Sequence, residues 1–279
     1  MFLNRQGLPA HFLGCLAADP YIGGGDISVT KLIDAPQIRS LLKTYGDTLP
    51  ESDAADMVPV LLGQSVHAML ERSSKSNPAL MVETRLYAEV EGWQVSGQFD
   101  VYDRGRKALD DYKVTSTYKY PYDIQWERQL NVLAWLCRQQ PEPLPVEKLG
   151  IVALFRDWSR AKMVSGYPPS WASYIDVRLW SAAEADAYVT ERVLLHQRAD
   201  AGEDVPCTDS ERWRSGETTY AVMRPERTRA LRVFGSRSEA NELAAQEPMA
   251  YIQERPGVYR RCKSYCPVAS FCPQYAETT

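Results

Sequence analysis

Along the chain the apolar residues change their spacing several times, and each change marks an element. From Ser28 to about Tyr45, Leu32, Ile33, Ile38, Leu41 and Leu42 fall at helical spacing on either side of Pro36. That predicts two short helices with Ser28 or Thr30 as a cap. From Ser52 to about Arg72, Met57, Leu61, Ala68 and Leu70 recur helically and put Gly63 and His67 on one face. The period then drops to two. Met81 to Tyr87, Trp93 to Tyr102 and Ala108 to Thr115 read as strands, and Asp103-Arg104-Gly105-Arg106-Lys107 joins the last two into a hairpin. Helical spacing returns from Tyr122 to Arg138, where Trp126, Leu130, Leu133 and Cys137 form one stripe with Gln129 beside it. Lys148 to Trp158 is a further strand, and Ser181 with Glu184 three residues on opens a capping-box helix to Ala201. The order α, βββ, α, β, α is that of an α/β fold.

Gly23-Gly24-Gly25 closes a leader at residues 1–25, and the periodic region at 26–200 forms the core. Beyond Asp200 loops, arginines and four of the six cysteines dominate, which predicts a C-terminal appendage at 201–279 packed on the same core. With 279 residues, 44% of them apolar, the chain can bury a core without staples. No apolar run approaches the roughly 18 to 20 residues of a membrane helix, and the amino terminus lacks a secretory pattern, so the cytoplasm is the expected compartment. Against 32 Lys and Arg stand 36 Asp and Glu, a net charge of −4. That excludes a protein that coats nucleic acid by bulk positive charge, so a polyanion must meet a local basic patch.

The sharpest chemistry lies across the hairpin, in Gly97-Gln98-Phe99-Asp100 on one strand and Asp111-Tyr112-Lys113 on the next. Strand side chains alternate, so Asp111 and Lys113 share a face and the hairpin can bring Asp100 beside them. Paired carboxylates suit a hard divalent cation, magnesium or manganese, and a neighbouring lysine can orient or activate an attacking water, the chemistry of phosphodiester hydrolysis. The bland alternative is a pair of solvated, turn-flanking acids with Lys113 paired to one of them.

Four elements in this order resemble the PD-(D/E)XK nuclease superfamily and its RecB-like branch, which includes CRISPR-associated and AddB-type exonucleases and phage relatives. The helical Gly63-Gln64-Ser65-Val66-His67 resembles the motif of the metal-binding histidine, and Gly97-x-x-Asp100 the acidic motif. Asp111-x-Lys113 resembles the name-giving triplet, and Gln129 the glutamine of the following helix. The resemblance covers most of Ile27 to Gln274 and implies a restriction-endonuclease-like core, a mixed central sheet flanked by helices. It further implies a metal-dependent deoxyribonuclease, an exonuclease on single-stranded DNA or DNA ends, placed in the host cytoplasm if phage-encoded. His67, Asp100 and Asp111 would hold Mg2+ or Mn2+, and Asp100, Asp111, Lys113 and Gln129 would be catalytic. Glu83, at the start of the first strand, reads as a solvent-facing acid in preference to an acid that supports the metal ligands. The branch has a tyrosine four residues after its glutamine where Leu133 stands here, with Trp135 as a neighbouring aromatic. The rival is an inactive nuclease fold that binds DNA or a protein partner.

Cys262, Cys266 and Cys272 crowd beside prolines, as thiolates wrapped round a metal do. They resemble the C-terminal cysteine group that binds a 4Fe-4S cluster in the same branch, whose fourth cysteine precedes an N-terminal proline. Ala35-Pro36 stands at that place here. Cys207, in a loop before the appendage, is the favoured fourth ligand over Cys15, and Cys137 reads as a core thiol. Structural Zn2+ is the alternative cofactor, since both accept four thiolates. Between Ser210 and Arg237, Arg212, Arg214, Arg224, Arg227, Arg229 and Arg232 interleave with Trp213, Tyr220 and Phe234, a pattern for a guided single strand or for a solvated basic surface. Lys119, Arg160 and Lys162 could line the same groove.

Overall fold

A computed structural model describes residues 3–17 and 24–277. The chain divides into two compact units, Met1–Asp34 with Thr48–Glu203, and Ala35–Asp47 with Asp204–Thr279. The division differs from the expected one. The leader belongs to the first unit, the boundary after residue 200 falls after 203, and residues 35–47 group with the C-terminal region instead of the core.

The first unit is a mixed α/β fold on a six-stranded sheet. Its strands are β1 (Ile27–Ser28), β2 (Leu80–Val90), β3 (Trp93–Asp103), β4 (Ala108–Thr115), β5 (Lys148–Phe155) and β6 (Ala172–Val177). Its helices are α1 (Ala10–Ala17), α2 (Val29–Leu32), α4 (Val58–Ser74), α5 (Ile124–Arg138) and α6 (Ala182–Asp200), α3 (Pro36–Tyr45) belonging to the second unit. Gly23 lies outside the described residues. Strand β5 stops at Phe155, short of Trp158, and β6 and α1 carry too weak a periodic signal to be read from sequence.

Strand β3 organises the sheet. The two-residue turn Glu91-Gly92, both at positive φ, joins it to β2 and fixes an antiparallel register from Val90↔Trp93 to Leu80↔Asp103. Its other edge meets β1 in parallel at Ile27↔Val95, and β4 only at Val101↔Asp110, Tyr102↔Leu109 and Asp103↔Ala108. Beyond Val101 the hairpin opens, and β4 leaves β3 to run parallel with β5 as far as Thr115↔Phe155.

Helix α5 begins at Asp123, whose Oδ1 accepts from Gln125 N at 2.8 Å, and buries its whole predicted stripe of Trp126, Leu130, Leu133 and Cys137. It meets β3 at Gly97, where a Cβ would come within 2.6–2.7 Å of Val29, Leu133 and Leu136 side chains. Only a missing side chain lets these helices approach so closely. Gly97→Ala is therefore expected to overpack the core and cost about 1–3 kcal/mol, visible as a lowered thermal midpoint. Helix α6 starts at Ser181, whose Oγ accepts from Glu184 N at 3.2 Å, though the Glu184 carboxylate turns to Arg178 instead of closing the box. The buried Arg192 and His196 both reach Leu32 O, at 3.1 Å each, and so satisfy the end of α2.

The second unit pairs β8 (Thr219–Met223) between β9 (Arg232–Phe234) and β10 (Tyr251–Arg255), with α7 (Arg237–Gln246) packed on these strands. β7 (Arg214–Ser215) pairs with β11 (Val258–Tyr259), ahead of α8 (Arg260–Ser264) and α9 (Pro273–Ala276). Among the described residues no helix is long and apolar enough to cross a membrane.

Candidate metal centre and cysteine pocket

The site lies where β3 and β4 part. By register Glu83 of β2 stands opposite Asp100 of β3, and one more step of the broken β3–β4 ladder would set Asp100 opposite Asp111. Three carboxylates thus form a row across three strands, with Arg85, Gln98 and Lys113 two residues along. At the split, Asp100 Oδ2 accepts from Tyr112 N at 2.7 Å and replaces the missing ladder bond. Glu83 takes a left-handed φ of 45°, and its pairing with β3 lapses there. That is a strained setting for a residue with a side chain, of the kind found at functional sites.

Helix α4 holds His67 over this row. Its Nε2 lies 3.0 Å from Tyr112 O, to which it donates, so the other ring nitrogen faces the acids. His67 Nδ1 is 3.4 Å from Asp100 Oδ1 and 3.8 Å from Glu83 Oε1. The imidazole is accordingly pushed up to about 10, by its hydrogen bond to Asp100 first and to Glu83 second, against the opposing effect of burial. Among the described residues, His67, Glu83 and Asp100 are the one group of three His, Cys, Asp or Glu whose ligand atoms lie within 4.8 Å of one another. Gln98 Nε2 donates to Glu83 Oε2 at 2.6 Å, and Arg85 Nη2 to Gln98 Oε1 at 2.9 Å, so the carboxylate is held from behind.

Asp111 stands outside that group. Only 2% exposed, its Oδ1 accepts from Lys113 Nζ at 3.2 Å and Gln129 Nε2 at 3.0 Å, while Oδ2 is 2.9 Å from the same ammonium. Burial raises its carboxyl to about 6, with the Lys113 charge opposing. Burial works against the Lys113 ammonium too, but Asp111 and Asp100 outweigh it and hold Lys113 above the usual lysine range. Gln129 Oε1 accepts from Lys113 Nζ at 3.0 Å, so this one amide fixes both partners.

Several expectations change here. Glu83 is half-buried beside His67, not a free surface acid, because the Glu91-Gly92 turn sets it opposite Asp100. Ala68 is exposed, and the half-buried face of α4 runs through Gly63, Val66, His67 and Leu70. Leu133 is buried under Gly97, and Trp135 is buried with its Nε1 donating to Asp186 at 2.8 Å, so neither presents an aromatic surface to a substrate. The arginine stretch is paired only in part within the second unit, and Arg227, Arg229 and Arg232 stay exposed. Arg212 is buried with its guanidinium 3.4 Å from the Tyr259 ring centre, Arg214 pairs with Asp209 at 2.8 Å, and Arg224 pairs with Glu247.

Within the second unit Cys207, Cys262, Cys266 and Cys272 line one pocket, with Ile38 and Leu41 of α3 against them. Gln274 clasps Cys207 from both sides, accepting from its N–H at 3.0 Å and donating to its carbonyl at 2.9 Å. Burial, then Glu211 and the neighbouring Cys272, push the Cys207 thiol up to about 12, and burial also raises Cys266. No three of these sulfurs fall within 4.8 Å of one another. Cys15 sits on α1 and Cys137 in the core of the first unit.

No protein-family model matches the chain, and no curated protein matches it. Among solved structures, SSO0001 is similar over 72% of this chain and 89% of its own, at 18% identity and a TM-score of 0.47. A phage related exonuclease from Haemophilus somnus 129PT is similar over 60% of this chain and 79% of its own, at 14% identity and a TM-score of 0.38. Neither likeness bears on chemistry, which is read from the residues.

Proposed function

We propose that the chain is a divalent-metal-dependent deoxyribonuclease of the PD-(D/E)XK kind and its RecB-like branch, acting as an exonuclease on single-stranded DNA or DNA ends. The observation that supports this most is the convergence of His67, Glu83 and Asp100 beside the Asp111–Lys113–Gln129 cluster. The donor set fits Mg2+ or Mn2+: two carboxylate oxygens and an imidazole that Tyr112 O orients from behind and that would give up its Nδ1 proton on binding the cation, with Asp111 on the neighbouring strand. The imidazole favours manganese of the two. A cation bound there supplies Lewis-acid polarisation of the phosphate and a more acidic water.

The protein's own residues do the rest. Lys113, kept as an ammonium and held by Asp111 and Gln129, places its positive charge by the attacking oxygen and the developing phosphate charge. Tyr112 fixes His67 and Asp100 through its two backbone groups, which keeps the ligands in register as the substrate arrives. Water oxygen attacks phosphorus, the bond to the departing sugar oxygen breaks, one proton of the water stays with the new phosphate oxygen system and the other ends on the departing oxygen. Gln98 touches no reacting atom but holds Glu83. Gln98→Ala is therefore expected to weaken Mn2+ binding by roughly 10–100-fold, measured by calorimetry.

The cysteine pocket is proposed to hold a 4Fe-4S cluster with Cys207 as fourth ligand. Four thiolates suit either a cluster or zinc, and the resemblance of the C-terminal cysteine group to the branch's cluster ligands favours the cluster, with structural Zn2+ the alternative. The test of the function is to incubate end-labelled single-stranded, duplex and circular DNA with the protein in Mg2+ or Mn2+. Metal-dependent loss of linear strands with circles intact is expected. DNA binding without cleavage in either metal would overturn the assignment.

A further inference from the structure

Strand β4 does not end at the metal centre. Two residues past Lys113, about 7 Å along a strand, it reaches Thr115 at the C-terminal end of the parallel pair β4–β5. Two loops leave from this end, residues 116–123 and 156–171, and they are tied together. Arg156 N donates to Thr115 O at 2.9 Å, Thr117 N donates to Asp157 Oδ1 at 2.8 Å, and Ser116 also bonds to Asp157. Tyr120 packs edge-on against Phe155 at 5.9 Å, and Phe155 N donates to Trp171 O at 2.9 Å.

The surface these loops present has an unusual make-up. Tyr118 is 75% and Trp171 61% exposed, among the larger apolar exposures of the chain. Arg156, Arg160 and Lys162 are exposed, and none has an ion-pair partner among the described residues. The acids of the two loops are occupied, Asp157 by Ser116 and Thr117, and Asp123 by Lys119 at 2.6 Å. The platform is braced. Trp158 packs 5.1 Å from Trp171 and donates Nε1–H to Pro168 O at 2.9 Å, and Tyr167 OH accepts from Ser159 N at 2.9 Å.

Exposed cations and exposed aromatic rings on two tethered loops, which leave the ends of β4 and of its parallel neighbour β5, match the two needs of an unpaired polynucleotide. Its phosphates take the guanidinium and ammonium groups, and its open base faces take the rings, which duplex bases stacked on one another cannot do. We propose that this loop pair is the subsite that holds single-stranded DNA beside the metal centre, with Tyr118 and Trp171 stacking on bases and Arg156, Arg160 and Lys162 gripping phosphates. The assignment rests on the nuclease reading for its purpose, and its binding chemistry is tested apart from it.

The test is fluorescence anisotropy of a labelled oligothymidylate with the full chain in EDTA, where no cleavage occurs. Trp171→Ala is expected to weaken binding roughly tenfold. The Arg160→Ala/Lys162→Ala double variant, which disturbs no internal partner, is expected to reduce the salt dependence of log Kd by about 1.4. Labelled duplex of the same length should bind more weakly to the wild type. Wild-type affinity retained by both variants, or duplex bound as tightly as single strand, overturns the subsite. If Trp171→Ala fails to fold, the double variant alone decides. Hydrolysis of bis-p-nitrophenyl phosphate by the wild type with Mn2+ reads the metal centre separately. Its absence counts against the nuclease reading, while the binding comparison still judges the subsite.

Discussion

Lys113→Ala is expected to lower the Mn2+-dependent rate of DNA cleavage by about 10^2–10^3-fold, the loss that follows removal of one preorganised charge donor. Manganese binding should survive, because His67, Glu83 and Asp100 do not depend on Lys113 for their placement. Asp111 would lose its counter-charge in a site where it is only 2% exposed. Burial already raises its carboxyl to about 6, and without the ammonium it should take up a proton near neutral pH. A Lys113→Arg variant should not rescue the rate, since the planar fork cannot replace a compact ammonium between Asp111 and Gln129. Single-turnover cleavage beside a Mn2+ titration separates the effects. Loss of binding together with rate would place Lys113 in folding rather than in chemistry.

The second large effect is expected at Cys207. Cys207→Ser should remove most of the absorbance near 400 nm, an approximate wavelength for thiolate-to-iron charge transfer, from anaerobically prepared protein. Cys15→Ser and Cys137→Ser should keep it, since neither lies in the pocket that Cys207 shares with Cys262, Cys266 and Cys272. Residues of α3, the segment 207–212 and the short C-terminal helices line this pocket, so loss of the cluster should also lower the unfolding temperature of the second unit. A colourless wild type with one zinc per chain would contradict the cluster, and full colour in Cys207→Ser would contradict the fourth ligand.

What the chain discloses by itself follows the range of the forces involved. The stripe of α5, the β3–β4 hairpin and the Ser181 cap rest on neighbours a few residues apart, so periodicity reveals them. Asp100, Asp111 and Lys113 come together by hairpin alternation and Gln129 enters through the family resemblance, and the structure brings Gln129 onto Asp111 and Lys113. Glu83 was not legible, although a signal existed. The Glu91-Gly92 turn sets the register that puts Glu83 opposite Asp100, but a strand acid shows its use only when the register is counted through and α4 is in place. The pairing of Arg214 with Asp209 could be guessed from sequence, whereas that of Arg224 with Glu247 and the stacking of Arg212 on Tyr259 depend on distant contacts. The grouping of residues 35–47 with the C-terminal region is likewise a long-range fact.

A deoxyribonuclease of this kind requires that the group under α4 hold the cation. Electron paramagnetic resonance of Mn2+ titrated into the wild type and into Asp100→Ala measures this without DNA. The wild type is expected to bind Mn2+ with loss of the free-ion signal, and Asp100→Ala to leave that signal nearly unchanged over the same range, with the fold verified by circular dichroism. Equal binding by both proteins, or none by the wild type, would contradict a metal centre at His67, Glu83 and Asp100.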